Sequence, residues 1–306
     1  MENFHFPVML SECIEALAIK PDGLYIDGTF GRGGHSGEIL KRLGPNGRLI
    51  CVDRDISAIE YGKENFKGCE NVSFLKGEFC DIPDMISQKA DGILLDLGVS
   101  SPQLDEASRG FSYMADGPLD MRMDRDSSLS ARDIVNKYSF DEIKRILFEY
   151  GEERYSAKIA AAIVKSREKK EIETTLELVD IIKSAMPASA LREKQHPAKR
   201  SFQGLRIAVN DEMGEIERLL EKLPDILAPH GRSAIITFHS LEDRIVKHAY
   251  KKAEKPCTCP SSIPVCVCGK KPTMRIITNK PILPTAEETK ENPRSRSAKL
   301  RVAEKI

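Results

Sequence analysis

The stretch Tyr25-Ile26-Asp27-Gly28-Thr29-Phe30-Gly31-Arg32-Gly33-Gly34-His35-Ser36 constrains this chain more than any other. The apolar run from Leu24 to Ile26 predicts a short buried strand that ends on a carboxylate. Four glycines follow within seven residues, and a helical pattern then begins at Ile39-Leu40-Leu43 and stops at Gly44-Pro45. Glycines let the backbone adopt positive φ and let a ligand approach bare N–H groups, while the helix N-terminus behind them favours an anion. A chain with this strand, turn and helix is directed toward an α/β fold that holds something with a negative end.

Spacing narrows the ligand. A dinucleotide fingerprint needs G-x-G-x-x-G, and counting from Gly31 places Ser36 where the third glycine should stand. Asp53 closes the next apolar run, Leu49-Ile50-Cys51-Val52, about as far downstream as a ribose-binding carboxylate should lie. A ligand with a ribose and a small carboxylate but no pyrophosphate is S-adenosylmethionine. The alternative is a tight strand-to-helix turn without a ligand, and Asp53 favours the former.

The same alternation continues. A helix is expected over 8–19, ahead of the first strand; then follow a helix over Ile56–Phe66, a strand at Val72–Leu75, a short helix over Ile82–Ile86, and an apolar strand, Ile93-Leu94-Leu95-Asp96. This predicts a parallel sheet with helices on both faces, in which ligands sit beyond the carboxyl ends of the strands. Asp27, Asp53 and Asp96 all fall there, which suggests one pocket. From Pro102 the pattern changes. Residues 104–130 predict a long ordered loop, and helices are expected at 131–138, 140–149, 155–168, 174–186 and 202–222. A run of helices without strands, set inside an alternating sheet domain, reads as an inserted helical lid or substrate domain over 105–215, flanked by sheet-domain segments 1–104 and 216–306. The sheet resumes with a strand at Ser233–Phe238 after a turn at Pro229-His230-Gly231. A helix begins at the capping-box-like Ser240-Leu241-Glu242-Asp243, and strands at Arg275–Thr278 and Leu300–Ala303 close the sheet.

Composition adds limits. Lys plus Arg equals Asp plus Glu at 47 each over 306 residues, so any nucleic-acid contact must come from local patches. No basic leader and no run of membrane-spanning length is present, which reads as cytoplasmic. Cys13, Cys51, Cys69 and Cys80 suit reduced core thiols. Cys257-Thr258-Cys259 and Cys266-Val267-Cys268 form a paired Cys-x-Cys arrangement that leaves two readings open, tetrahedral zinc or reduced thiols in a hairpin.

Five long motifs, in this order, closely resemble the RsmH, or MraW, family: Asp27-Gly28-Thr29-Phe30-Gly31-Arg32-Gly33-Gly34-His35-Ser36; Leu95 to Asp105; Gly117-Pro118-Leu119-Asp120-Met121-Arg122-Met123; Tyr150-Gly151-Glu152-Glu153-Arg154; and Phe238-His239-Ser240-Leu241-Glu242-Asp243-Arg244. The resemblance implies a class I, Rossmann-like methyltransferase fold with an inserted all-helical domain. It also implies S-adenosylmethionine-dependent methylation of the exocyclic N4 amine of a decoding-centre cytidine in bacterial 16S rRNA of the small ribosomal subunit. The family's cofactor contacts map onto Gly33, Gly34, His35, Asp53, Phe79, Asp96 and Gln103. For His35 the alternative is a side chain that merely faces solvent, with only the backbone N–H needed. Many exocyclic-amine methyltransferases carry Asn or Asp followed by Pro-Pro and an aromatic residue after the fourth strand. Here that place reads Asp96-Leu97-Gly98-Val99, so the acid is kept and the aromatic platform is missing; Asp96 is the candidate catalytic residue, with two readings open, orienting the amine or serving the cofactor only. A stacking ring is then expected from Phe111 or Tyr113. Arg192, Lys194, His196, Lys199, Arg200 and Arg206 are the candidate RNA contacts, ahead of a second cluster at Arg294, Arg296, Lys299 and Arg301. The rival functions are a methyltransferase acting on a DNA or protein amine and a ribosome-assembly factor with a cofactor-sensing site.

Overall fold

Near-continuous apolar runs bounded by glycine and carboxylates become the central strands, because a parallel strand is covered by helices on both faces. The structure, a computed structural model, describes residues 7–260 and 267–306. Helix α1 (Leu10–Leu17) leads into β1 (Leu24–Asp27), α2 (Gly34–Leu40), β2 (Arg48–Asp53), α3 (Ile56–Asn65), β3 (Val72–Lys76), α4 (Ile82–Met85) and β4 (Ala90–Asp96). Eight helices follow: α5 (Ser101–Asp105), α6 (Ala131–Lys137), α7 (Phe140–Glu149), α8 (Ser156–Arg167), α9 (Thr175–Ala185), α10 (Ala188–Leu191), α11 (Lys199–Asn210) and α12 (Glu212–Ile226). The chain ends with β5 (Leu227–Thr237), α13 (Ser240–Glu254), β6 (Met274–Ile276), α14 (Ala286–Glu291) and β7 (Lys299–Lys305).

Two compact units result, one comprising Met1–Gly98 with Met213–Ile306, the other Val99–Glu212. The first carries a seven-stranded sheet in the order β3-β2-β1-β4-β5-β7-β6, with β1 to β5 parallel and β7 antiparallel to both its neighbours. This is the class I methyltransferase arrangement. Ile93, Leu94 and Leu95 on β4 have no exposed surface, and each side chain so buried stabilises the fold by about 2 kcal/mol. No described helix is long and apolar enough to cross a membrane.

In the second unit, capping boxes explain the helix starts. Ser130 with Asp133, Ser139 with Glu142, and Thr174 with Glu177 each satisfy orphan N–H groups at the head of α6, α7 and α9. Ile134, Ile143, Ile146, Ile159, Ile163, Leu178 and Ile182 then meet in one core. The segment between α5 and α6 belongs to that core as well, for Phe111, Leu119, Met121 and Met123 are buried in it. Arg109 donates to the carbonyls of Arg122 and Met123 at 3.0 and 2.9 Å. Asn210 braces the same segment, donating to Met121 O and accepting from Met123 N–H, both at 2.8 Å.

Several sequence expectations are corrected. The helix expected over 202–222 is two helices, because Asp211 takes a left-handed φ of 47° and closes α11 through its N–H to Ile207 O. The turn expected at Pro229–Gly231 is a bulged part of β5, with His230 at φ 64° and the register shifting between Ala90 and Gly92. Helix α13 is capped by His239 rather than Ser240: Glu242 N–H faces the ring, and the Glu242 carboxylate accepts the N–H groups of Phe238 and His239. Helix α2 starts at Gly34, five residues before its first apolar pair, since the glycines form its opening turn. Cys13, Cys51 and Cys80 are buried, but Cys69 is exposed.

Candidate active site

β2, β1 and β4 are adjacent in the sheet, and Asp53, Asp27 and Asp96 are their last residues. The three carboxylates do different work. Asp27 is buried; its oxygens accept from Thr29 N–H at 3.2 Å and Ser36 Oγ at 2.6 Å. It folds the glycine turn back onto β1. Burial lifts its pKa to about 6 against the pull of those two bonds.

Asp53 is anchored through both oxygens, which accept Gly31 N–H and Asp55 N–H, each at 2.8 Å. A carboxylate has about four lone-pair sites, so acceptor capacity remains on both atoms. Burial raises its pKa to about 6, while the same two N–H groups hold it down.

Asp96 is unlike either. Its backbone N–H donates to Thr29 Oγ1 at 2.6 Å, which ties β4 to the glycine turn. Its Oδ1 is shielded from solvent and has no hydrogen-bond partner among the described residues. Burial first, then the negative charges of Asp27, Glu242 and Glu288, push its pKa up to about 8. A buried carboxylate oxygen left without a donor costs free energy, and such an oxygen marks a place for an amine or ammonium.

Gly33 is the N-cap of α2, at φ 72°, and a Cβ there would lie 2.7 Å from the Phe30 ring and 2.8 Å from that of Phe66. The protein's own packing therefore demands glycine at this position. The first helical bond runs from Gly37 N–H to Gly33 O at 2.8 Å, and the Gly33 N–H is itself spent on Phe30 O at 2.8 Å. The His35 side chain does not face solvent. It is buried, and its Nε2–H donates to Val8 O at 2.9 Å.

Phe79 opens a 3₁₀ turn after β3 and is half-buried, so its ring is not spent in the core. Its N–H donates to Glu215 Oε1 at 2.8 Å, and the buried Glu215 also pairs with Arg54. Glu215 and Thr29 are site-shaping residues missed from the sequence. Thr29 lies in plain view among the glycines, but nothing local announces that Glu215 reaches a residue 136 positions away.

Gln103 and the basic cluster at 192–206 belong to the helical unit. Gln103, in α5, is buried and its Oε1 accepts Ser100 N–H at 3.0 Å as part of a capping box. Arg192 and Lys194 are exposed, and Lys199 and Arg200 are half-buried in the first turn of α11. Arg206 is drawn away into a two-bond pair with Glu212, both bonds 2.8 Å. Burial, then Lys183, lowers the His196 pKa, so that ring adds no charge at neutral pH. It stacks on Tyr113 with centroids 4.7 Å apart. Phe111 is core and offers no face. Of the C-terminal cluster, Arg301 and Lys299 are paired with Asp243 and staple β7 to α13, while Arg294 and Arg296 are exposed. Of the four cysteines at 257–268, Cys266 lies outside the described residues, and the sulfurs of Cys257, Cys259 and Cys268 converge.

Comparison with known proteins agrees with this arrangement. The chain is 55% identical over 310 residues, all of both chains, to "Ribosomal RNA small subunit methyltransferase H" of Clostridium botulinum (strain Kyoto / Type A2). It is 56% identical over 313 residues to the protein of that name from Acetivibrio thermocellus, again over all of both chains. With that of Caldicellulosiruptor saccharolyticus it shares 54% over 306 residues, 99% of each. The model of the MraW methylase family matches residues 2–306, and the chain belongs to that family.

Proposed function

We propose that the protein transfers the methyl group of S-adenosylmethionine to the exocyclic N4 amine of a decoding-centre cytidine in the 16S rRNA of the small ribosomal subunit, in the cytoplasm. The observation that carries this reading is the shielded, partnerless Oδ1 of Asp96, a residue whose backbone N–H bonds Thr29 in the glycine turn, beside Asp53, which accepts Gly31 N–H of the same turn and retains acceptor capacity. The names of the full-length relatives support small-subunit rRNA as the substrate class. The cofactor supplies a methyl group activated by a sulfonium.

The chain's own residues supply the rest. Asp53 would take the two ribose hydroxyls, one on each anchored oxygen. Phe79 would lay its ring against adenine, held in place by the Glu215 bond to its N–H. The head of α2 at Gly33, Gly34 and His35 would receive the cofactor carboxylate, with Gly33 acting through its close packing rather than its N–H, which Phe30 O takes. Asp96 would accept a hydrogen bond from an amino or ammonium group, and a cation there would bring its raised pKa down into the ionised range. Cytosine's amine is a weak nucleophile because its lone pair is delocalised into the ring, so an acceptor on its hydrogens and in-line positioning carry the acceleration. The helical unit would bind the RNA through Lys199 and Arg200, with Arg192 and Lys194 at the exposed end of α10.

The test is methyl transfer from labelled S-adenosylmethionine to unmodified small subunits, free rRNA and DNA in parallel, followed by nucleoside analysis. Label in N4-methylcytidine from subunits or rRNA is expected. Label only in DNA or protein, or cofactor binding without transfer to any acceptor, would overturn the proposal.

A further inference from the structure

The 255–273 loop joins α13 to β6 and is longer than the usual connection in a compact domain. Its ends are fixed: Lys255 N–H donates to Lys251 O at 2.8 Å, and Thr273 N–H to Ala253 O at 2.9 Å. Between them none of the described residues is buried, and Val267 is 75% exposed. Apolar burial therefore does not hold the described residues of this connection.

What converges instead is sulfur. The Sγ atoms of Cys257, Cys259 and Cys268 all lie within 4.8 Å of one another, and none is in a disulfide. Around a tetrahedral zinc with Zn–S of about 2.3 Å, neighbouring sulfurs stand about 3.8 Å apart. Closing the gap needs a shift of about 1 Å, which a rotamer adjustment of exposed or half-buried side chains provides. Val267 N–H donates to Cys259 Sγ at 3.4 Å, which ties the two ends of the cluster together. Gly269, at φ +67°, turns the chain immediately after Cys268.

We propose that Cys257, Cys259 and Cys268 hold a zinc ion that pins Cys257–Cys259 to Cys268 in place of a hydrophobic core. Three soft thiolate donors in a tetrahedral-compatible cluster select zinc over magnesium or calcium, and each sulfur gives its proton to solvent as its bond to the metal forms. The sequence carries a further thiol at Cys266, outside the described residues, and the inference rests on the other three.

The experiment is metal analysis of the full chain, purified under reducing conditions without a metal-binding tag. Stoichiometric zinc is expected, released by a mercurial thiol reagent. Cobalt(II) added to chelator-stripped protein should give the intense visible bands of a tetrahedral thiolate site. Cys257→Ser, Cys259→Ser and Cys268→Ser should each lower metal affinity at least tenfold, with the far-ultraviolet circular dichroism retained. Equal zinc in the wild type and the triple variant would overturn the proposal, as would a disulfide between two of the three in anaerobically purified protein. Should the variants fail to fold, the stripped wild type decides alone: failure to take up a stoichiometric metal ion would end the idea.

Discussion

Replacing Asp96 with asparagine is expected to stabilise the cofactor-free protein more at pH 8 than at pH 5, while weakening cofactor binding. Burial and three neighbouring carboxylates raise Asp96 from the ordinary 3.8 to about 8. The folded protein thus keeps a proton that the unfolded chain releases above about pH 4, and the stability this contributes is lost as pH rises through 8. At about 1.36 kcal/mol per pKa unit, a shift of about four units amounts to roughly 5 kcal/mol once the group is ionised. Because the side chain is partly open to water, screening reduces the part that falls between pH 5 and pH 8 to roughly 2 kcal/mol. Asparagine carries no charge at either pH, so whatever it costs in packing is constant and cancels. Asp27 and Asp53 titrate in both proteins and cancel too. Urea unfolding of both proteins at pH 5, 6.5 and 8 should show the advantage of the variant growing by that amount. Parallel pH profiles, or a larger advantage in acid, would refute the assignment of a proton-holding carboxyl at the end of β4.

Asp53→Ala should weaken S-adenosylmethionine binding by roughly tenfold to a hundredfold, as removal of a charged double acceptor implies; unchanged affinity by calorimetry would remove Asp53 from the site. Replacing Lys199 and Arg200 together with alanine should lower RNA affinity and flatten its log–log salt dependence by about 1–2, with cofactor affinity unaltered. A salt slope identical to wild type would place the RNA elsewhere. Asn210→Ala should destabilise the helical unit by about 2–4 kcal/mol, since two backbone groups of the 106–130 segment lose their buried partner. Limited proteolysis should then cut within that segment first, and resistance equal to wild type would contradict the bracing role.

The sheet was readable because apolar runs ending in aspartate have few other uses, and Asp27, Asp53 and Asp96 stand at strand ends for that reason. Their division of labour was not readable. It depends on whether Thr29, Ser36 or Gly31 reaches each carboxylate, and these are matters of distance across strands. The break at Asp211 hid inside an unbroken helical period, because one left-handed residue leaves the apolar spacing nearly intact. Phe111 looked available in a polar, aperiodic segment, yet Arg109 and Asn210 supply the hydrogen bonds that let such a segment be buried. Arg206 counted as a basic residue in the sequence, but a glutamate six positions on holds its guanidinium.

β4 and β5 lie side by side in the sheet, yet the chain makes 130 residues between Asp96 and Leu227. At translation speeds of about 5–20 residues per second, the β4 edge waits roughly 7–26 s for its partner. During that interval Ile93, Leu94 and Leu95 border an open row of N–H and C=O groups, the kind of edge that recruits a strand from another chain. Val99–Glu212 emerges first and is contiguous, so it can complete its own core before β5 leaves the ribosome. The nascent chain is therefore open to aggregation midway through its own synthesis, so codon choice or chaperone capture over the helical segment bears on its yield.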